Sequence, residues 1–206
     1  MKKTQLAIMF VLICSASFAQ FDSTKYVIGG LVNYGTSQNK TKNINDSQTN
    51  STSSFFFSPS IAKPIKSNGV MGVELGFGAG SSKNKGGNFE SMGTNQHYSL
   101  GVFYQRFYTI TNKIYFNWNG RARVGLNKSV SEYTLSETFQ SKTTEYTTSY
   151  DLTVTPGISW KVMDRVLLNG SIGGAAFQLN DREGGSDTSF SIFFNNPQFG
   201  FSFLLN

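Results

Sequence analysis

Apolar and polar residues alternate over long stretches of the chain, with a period of two residues. From Ile114 to Leu126 the even-numbered positions are Ile, Phe, Trp, Gly, Ala, Val and Leu, whereas the odd-numbered ones are mostly polar and include Arg121 and Arg123. Successive side chains of a strand point to opposite faces of a sheet, so this stretch predicts a strand with one apolar face and one polar, cationic face. Residues 70–80 repeat the pattern, with glycines on the polar face.

These glycines indicate what the polar faces contact. A polar face in water would only be weakened by glycine, which has no side chain to pack. The interior of a narrow barrel instead requires small residues beside a few long ones. Arg121 and Arg123 favour the same orientation, because an arginine facing lipid at mid-depth costs about 2–4 kcal/mol. We therefore expect the polar faces to line a lumen and the apolar faces to contact lipid.

The alternation predicts eight strands, over residues 26–35, 54–65, 70–80, 96–108, 114–126, 149–162, 166–177 and 189–206. Short turns are expected at residues 66–69, 109–113 and 163–165, and long polar loops at 38–53, 81–94, 127–148 and 178–187. The third loop could continue its flanking strands as a ribbon. Pro59 predicts a bulge or an irregular pair in the second strand, and Asn195-Asn196-Pro197 predicts a bulge where the last strand changes phase.

The N-terminal residues 1–19 predict a secretory signal peptide, and residues 20–206 a single barrel domain. Lys2 and Lys3 precede an apolar run that is too short to span a bilayer, and Ser17-Phe18-Ala19 is a cleavage signal. Lipidation at Cys14 is disfavoured because Ile13 stands where a small residue is needed. Cleavage removes Cys14, the only cysteine. The mature chain is therefore expected to have no disulfide and no cysteine metal site.

The expected fold is all-β: an eight-stranded antiparallel up-and-down transmembrane β-barrel with short periplasmic turns and long extracellular loops. Each predicted strand reaches the 9–11 residues, roughly, that a tilted transmembrane strand needs. Aromatic residues near strand ends fit the girdles found at both membrane interfaces: Tyr98, Tyr104, Tyr108, Tyr150 and Trp160. The formal net charge of +6 falls to +4 once Lys2 and Lys3 leave with the signal, which is too small and too scattered to indicate nucleic-acid binding.

The Ser-Phe-Ala-Gln signal end, the eight amphipathic strands and the closing run from Phe199 to Asn206 resemble the small outer-membrane barrels of the OmpA/OmpX kind, within the broad outer membrane beta-barrel domain group. The resemblance covers the whole mature chain. It implies a location in the bacterial outer membrane, contact with outer-membrane lipids and lipopolysaccharide, and insertion by the barrel assembly machinery. In that family the last strand ends on an aromatic residue, whereas here Phe203 stands three residues before the end.

The candidate site is a set of charged residues predicted to face the lumen, with Gln105 at a similar height: Glu74, Arg121, Arg123, Asp151 and Lys161. Counting residues from the nearest turns places Arg121 within reach of Glu74, and Arg123 near Asp151 on a neighbouring strand. Buried charges are costly unless they are paired. The set therefore predicts a salt-bridged plug that fills the barrel, and the alternative is a gate or an ion path.

His97-Tyr98-Ser99 is the one fragment that could carry enzyme chemistry. Its His-x-Ser spacing is similar to that of the lipid A deacylases, which are outer-membrane barrels, and an imidazole can activate a nearby hydroxyl. However, the strand phase points His97 and Ser99 into the lumen, and no acidic partner is evident. No glycine loop of the phosphate-binding type is present, and we expect no cofactor and no metal.

The sequence therefore predicts a non-enzymatic, monomeric barrel with a filled lumen, which acts in envelope structure or through its extracellular loops. Three alternatives remain open at this point. They are an outer-membrane enzyme that modifies lipid, a small pore, and a soluble secreted barrel of the lipocalin type with its apolar face inside.

Overall fold

The computed structural model describes residues 24–43, 46–65, 68–86, 89–135, 139–171, 173–194 and 198–205. The expected signal peptide lies outside these ranges. Within them, no helix is long and apolar enough to cross a membrane. The strands are β1 (Tyr26–Asn43), β2 (Asp46–Ile65), β3 (Gly69–Gly86), β4 (Phe89–Thr109), β5 (Ile114–Leu135), β6 (Phe139–Met163), β7 (Val166–Ser171), β8 (Gly174–Arg182), β9 (Gly185–Phe193) and β10 (Gln198–Leu205).

The strands form one antiparallel up-and-down sheet that closes into a ring. Strands β1 to β6 pair in sequence order, β6 pairs with β7, β7 with β10, and β10 with β1. The ring therefore has eight strands, as the alternation predicts. Strands β8 and β9 form a hairpin that extends the sheet from the upper part of β6.

Among the described residues, the pairs that close the ring between β1 and β10 lie near the short turns. Strand β1 pairs with β10 from Tyr26 to Val32, opposite Leu205 to Phe199. The seventh predicted strand is divided into β7 and β8, and the eighth into β9 and β10. Strand β9 begins at Gly185, earlier than the start predicted for the eighth strand. The exposed apolar positions change from even-numbered in β9 to odd-numbered in β10, which confirms the phase change. The bulge predicted at Asn195-Asn196-Pro197 lies outside the described ranges.

The outer and inner faces of the wall differ as the sequence predicts. Apolar side chains on the outer face are about half exposed, for example Val73 (48%), Leu100 (56%) and Leu152 (57%). On the inner face Arg121 is only 9% exposed. An apolar exterior around a polar interior is the arrangement that a lipid bilayer requires of a barrel. It contradicts the lipocalin alternative, which requires the reverse.

The polar segments predicted as loops are mostly strands, and this prediction is wrong for three of the four. In residues 38–53, strands β1 and β2 stay paired as far as Asn43 opposite Asp46. In residues 81–94, strands β3 and β4 stay paired as far as Gly86 opposite Phe89. Residues 178–187 form the end of β8, a turn and the start of β9. The ribbon expected for residues 127–148 is confirmed. These extensions, the arms, are also paired to their neighbours, so serine and threonine side chains meet in register across strands. Lateral pairing thus stabilises sequences that would be loops in isolation.

The turns at the other end are short, as predicted, and we call that end the short-turn end. Residues 110–113 connect β4 to β5, and Asp164-Arg165 connect β6 to β7. Asn68 has φ of 58°, the left-handed conformation that an Asn-Gly turn uses. The ladder between β2 and β3 skips Ser58 and Pro59 and then resumes in the same register, so the irregular pair expected at Pro59 is confirmed.

Candidate functional site

The lumen is filled in layers, and the first layer, at the short-turn end, is apolar. It belongs to a cluster of eight hydrophobic side chains, each 9% exposed or less: Val27, Ala62, Val70, Phe103, Phe107, Tyr115, Leu167 and Leu204. Phe103, which pairs with Arg121 across β4 and β5, lies at the height of the charge layer. The rings of Phe107 and Tyr115 meet edge to face, with centroids 6.4 Å apart. This floor closes the short-turn end of the barrel with side chains that exclude water.

Above the floor lies a layer of amides and hydroxyls that runs along the inner wall over four neighbouring strands. Asn117 Nδ2 donates to Ser159 Oγ (2.7 Å), Ser159 Oγ donates to Asn169 Oδ1 (2.6 Å), and Asn169 Nδ2 donates to Ser202 Oγ (3.0 Å). The chain of bonds joins β5, β6, β7 and β10. Buried polar groups that are bonded in this way hold the wall in one arrangement.

The third layer carries charge, and three of the five candidate residues meet in it. Arg121 Nε lies 3.4 Å from Glu74 Oε2, and Arg123 Nε lies 3.8 Å from Glu74 Oε1. The side chains of Glu74 and Arg121 are 4% and 7% exposed, and that of Arg123 is 17% exposed. The carboxylate of Glu74 thus stands between two guanidinium groups in the interior of the barrel, and its removal would leave both arginines without their shared partner.

A glycine on the intervening strand allows Arg123 to reach Glu74. Glu74, Gly101 and Arg123 lie side by side on β3, β4 and β5. A Cβ on Gly101 would overlap Arg123 Cγ and come within 2.9 Å of the Ala122 carbonyl oxygen. The aliphatic part of Arg123 therefore occupies the space that any other residue at position 101 would fill.

The remaining two candidate residues are placed differently. Asp151 is half-buried and lies directly opposite Arg123 in the β5–β6 ladder, so two carboxylates and two arginines share this part of the lumen. Lys161 lies near the short turns, and its Nζ is 3.3 Å from Asp164 Oδ1. Lys161 points inward, as its phase predicts, but its ion pair is with a turn residue and not with the charge layer.

Two residues of the charge layer were missed by the sequence reasoning. Gln198 on β10 accepts a hydrogen bond of 3.4 Å from Arg121 Nη1, which links opposite sides of the lumen. Phe56 on β2 lies under Arg123, with the guanidinium carbon 5.7 Å from the ring centroid, close enough for a cation–π interaction. Its ring covers Gly76 and Gly78, where a Cβ would lie 3.0 Å and 3.3 Å from ring carbons. The position of Phe56 could have been predicted from the sequence, because it is an aromatic residue on an inner face that is otherwise rich in glycine.

Little empty space remains between the layers. A cavity of about 50 Å³ lies among the polar side chains, including Glu74, Gln105, Asn119 and Arg121. Gln105 lines it, as its predicted height suggests. Since one water needs roughly 10–15 Å³ of such volume, the cavity has room for only a few water molecules.

His97 and Ser99 both point into the lumen above the charge layer, as their phase predicts. His97 Nδ1 and Asn127 Oδ1 are 2.6 Å apart, and Asn127 Nδ2 donates to Ser149 Oγ at 3.2 Å. The two bonds are consistent when the His97 Nδ1–H group donates. Ser99 is buried on the same face. The His-x-Ser pair is thus directed away from the lipid face, on which a deacylase would meet its substrate.

Beyond the charge layer the inner wall continues into a region that we call the vestibule, lined mainly by hydroxyl and amide groups. Its inward residues include Ser37, Asn50, Thr52, Asn95, Ser129 and Thr147. Most of the charged side chains of the arms are on the outer face, as in the ion pair of Lys83 with Glu90. Charged residues that point inward include Glu145, Arg182 and Asp187. Among the described residues, no group of three or more His, Cys, Asp or Glu could hold a metal ion.

The closed ring, the lipid-compatible exterior and the layered polar interior together define a transmembrane β-barrel of the outer-membrane type. In such barrels the short turns face the periplasm and the long connections face the outside.

No protein-family model and no curated protein sequence matches the chain. Solved structures give distant likenesses. The Neisserial surface protein A NspA is 16% identical over 87% of this chain and 96% of that one, with a TM-score of 0.43. The translocator domain of the autotransporter NalP from Neisseria meningitidis is 11% identical over 98% of this chain and 97% of that one, with a TM-score of 0.36. The ferric yersiniabactin uptake receptor FyuA from Yersinia pestis is 12% identical over 87% of this chain but 32% of its own, with a TM-score of 0.38.

Proposed function

We propose that this chain is a non-enzymatic, monomeric outer-membrane barrel with a sealed lumen, which acts in envelope structure and through its long outer arms. The observation that carries the proposal is the layered lumen. The apolar floor, the amide layer and the ion pairs of Glu74 with Arg121 and Arg123 follow one another. The cavity of about 50 Å³ between them is too small for a continuous aqueous path.

Membrane insertion is tested by alkaline washing of membranes, followed by a gel of boiled and unboiled samples. A barrel held by its lipid-facing side chains stays in the washed pellet and migrates differently after boiling. Release into the soluble fraction, or a single mobility, contradicts the insertion.

The sealed lumen is tested by planar-bilayer recording of the folded protein. We expect no current steps in the wild-type protein, and none in an Arg121→Ser/Arg123→Ser double variant, because the floor beneath the arginines still closes the short-turn end. Current steps in the wild-type protein contradict the sealed lumen and favour the pore alternative. Steps in the double variant alone assign the seal to the charge layer rather than to the floor.

A lipid-modifying enzyme is the second candidate function, because the His97-Tyr98-Ser99 spacing resembles that of the deacylases. The inward direction of His97 and Ser99 argues against it. We expect the lipid A acylation pattern, measured by mass spectrometry, to be the same in cells that make the wild-type protein, its His97→Ala variant or neither. Loss of an acyl chain with the wild-type protein alone would establish the enzyme.

Contact through the arms is proposed because they place lysines on the outer face, including Lys83, Lys85 and Lys142. Lipopolysaccharide is anionic and surrounds the barrel at this height, and lysine attracts such charges. Trypsin added to intact cells should cleave within the arms and leave the membrane-spanning strands intact. Protection of the arms in intact cells would reverse the proposed orientation. Insertion by the barrel assembly machinery is part of the same proposal.

A further inference from the structure

An arginine faces outward from the wall, close to the short-turn end. Gln105 and Phe107 are buried in the lumen, so the alternation of β4 turns Arg106, which lies between them, to the lipid side. Arg106 is three residues before Thr109, where β4 ends. At about 3.3 Å per residue along a tilted strand, its Cα is within ~10 Å of the rim. The guanidinium group therefore lies near the border between the hydrocarbon and the head groups of the bilayer, and not at mid-depth.

Aromatic side chains surround Arg106 on this face. Its guanidinium carbon is 5.3 Å from the ring centroid of Tyr108, and among the described residues no carboxylate lies within 4 Å of the guanidinium group. Trp118 is the neighbour of Arg106 on β5, and its ring centroid is 5.2 Å from that of Tyr104. Trp118 Nε1 donates to the hydroxyl oxygen of Tyr108 at 3.4 Å. One indole thus contacts both tyrosines, and the O–H group of Tyr108 remains to donate to another acceptor.

A glycine on β3 gives Tyr104 its place in this cluster. Tyr104 pairs with Met71, but its ring leans one row toward the short turns and lies beside Gly69, the partner of Arg106 in the ladder. A Cβ at Gly69 would be 2.9 Å from a ring carbon of Tyr104 and 3.0 Å from its hydroxyl oxygen. The hydroxyl group of Tyr104 is therefore at the height of Arg106. We call Tyr104, Arg106, Tyr108 and Trp118 the girdle patch.

The short-turn end as a whole is cationic. Among the described residues of 24–28, 62–71, 104–118 and 158–168, the single carboxylate side chain is that of Asp164. The same residues carry six positively charged side chains, those of Lys25, Lys63, Arg106, Lys113, Lys161 and Arg165. A surface with this excess of positive charge attracts anionic head groups.

We propose that the girdle patch binds the phosphate group of a phospholipid in the periplasmic leaflet. Arg106 provides a positive charge and the fork of N–H donors that a phosphate accepts, and the hydroxyl groups of Tyr104 and Tyr108 are further donors. The indole of Trp118 lies where aromatic rings meet the boundary between acyl chains and head groups. An arginine at this height without a carboxylate partner in the protein takes its counter-charge from the lipid. The proposal rests on the membrane-embedded barrel and the orientation proposed above.

The test uses the fluorescence of Trp118 in a Trp160→Phe background, since these are the two tryptophans of the chain. The full mature chain in uncharged detergent micelles is titrated with phosphatidylglycerol, with a glycosyl diacylglycerol of the same acyl chains, or with inorganic phosphate. We expect a saturable change in the emission of Trp118 with phosphatidylglycerol alone. An equal response to the glycosyl lipid assigns the change to the acyl chains and overturns the phosphate site. An equal response to inorganic phosphate identifies a site for the free anion and overturns the lipid assignment.

Arg106→Gln should weaken the binding of phosphatidylglycerol by about tenfold or more, because it removes a charge-assisted hydrogen bond. The matched control is Lys113→Gln, which removes a cation of the same rim outside the girdle patch and should weaken binding by less than about threefold. Equal weakening by the two substitutions assigns the lipid to the charge of the whole rim and overturns the girdle patch as a site.

Folding of each variant is checked by its mobility on an unboiled gel. Tyr108→Phe keeps the ring and removes one donor, so it should weaken binding by about threefold, and it tests the site even where Arg106→Gln does not fold. Unchanged binding in Tyr108→Phe overturns the part assigned to that hydroxyl group.

A second measurement separates this proposal from the membrane-embedded barrel. In vesicles of lipids brominated close to the head group, the emission of Trp118 should be quenched, since its side chain faces lipid on the outside of β5. Absence of quenching overturns the embedded barrel. Quenching without any preference for phosphatidylglycerol in the titration overturns the phosphate site alone.

Discussion

Arg123 reaches Glu74 by lying across Gly101, on the strand between them. The guanidinium nitrogen Nε is 3.8 Å from Glu74 Oε1, and its aliphatic stem fills the space beside the Gly101 Cα. The glycine and the ion pair are therefore one feature: a side chain at position 101 would compete with the arginine for the same volume.

Replacing Gly101 with alanine should destabilise the barrel by about 1–3 kcal/mol, the usual cost of overpacking an interior. The new Cβ would meet Arg123 and the Ala122 carbonyl oxygen. Urea unfolding in detergent micelles, followed on unboiled gels, measures the change. Gly170→Ala is the matched control, since nothing lies within 4 Å of a Cβ there, and it should be neutral. Equal effects of the two substitutions would contradict this account of Gly101.

Glu74→Gln should destabilise the barrel by about 3–5 kcal/mol, because it leaves two buried arginines without their shared carboxylate. The matched control is Glu132→Gln, which breaks the exposed ion pair of Glu132 with Lys142 (2.7 Å) and should cost less than about 1 kcal/mol. Both are measured by urea unfolding.

A Glu74→Gln/Arg121→Gln double variant should be less destabilised than the sum of the two single variants, because it removes opposite charges together. Additive effects would show that Glu74 and Arg121 are not coupled.

Asn169 is the central residue of the amide layer, bonded to both Ser159 and Ser202. Asn169→Ala should cost about 1–3 kcal/mol, since it removes the acceptor of the buried Ser159 hydroxyl and the donor to the Ser202 hydroxyl. Asn39→Ala, on an exposed position of an arm, should change the free energy of unfolding by less than about 0.5 kcal/mol. A neutral Asn169→Ala would mean that the layer does not stabilise the wall.

Acid should loosen the arm formed by β3 and β4. The hydrogen bond from Lys83 to Glu90, 2.5 Å between Nζ and Oε1, lowers the pKa of Glu90 from its usual 4.5. Because the pKa of Glu90 is lower in the folded state, its ion pair with Lys83 stabilises the arm fully above pH 4.5. This stabilisation is lost as the pH falls through the lowered pKa. Hydrogen exchange in the arm, corrected for the intrinsic pH dependence, should therefore rise in that window. In a Glu90→Gln variant the rise should be absent, and its persistence would assign the change to another group.

The sequence predicts the membrane-spanning part well because one physical rule governs it. From Ile114 to Leu126 each residue faces either lipid or a narrow lumen, and the cost of a misplaced arginine fixes the phase. The arms follow no such rule. Their serines, threonines and asparagines are compatible with loops, and only pairing with neighbouring arms makes them strands, as with Ser53 and Ser81, whose hydroxyl oxygens are 2.9 Å apart.

The sequence predicts which charged residues face the lumen, but it predicts fewer of the contacts that these residues make. Alternation places Glu74, Arg121 and Phe56 on inner faces, but it cannot show that the ring of Phe56 lies against the guanidinium group of Arg123. Lys161 has the correct phase, yet its height near a turn gives it Asp164 as a partner. Gln198 comes after the phase change of the last strand. The alternation of the preceding residues therefore does not predict whether its side chain faces the lumen or the lipid.

The row in which Glu74, Gly101 and Arg123 lie side by side has a consequence for assembly. A slip of two residues between β3 and β4 would keep every side chain on its correct face, so the apolar pattern alone cannot reject it. Such a slip would move Glu74 away from Gly101 and Arg123, and would leave the charges apart. We therefore expect the ion pairs to act as a register check during insertion, by which only one alignment of the strands leaves the interior without an unpaired charge.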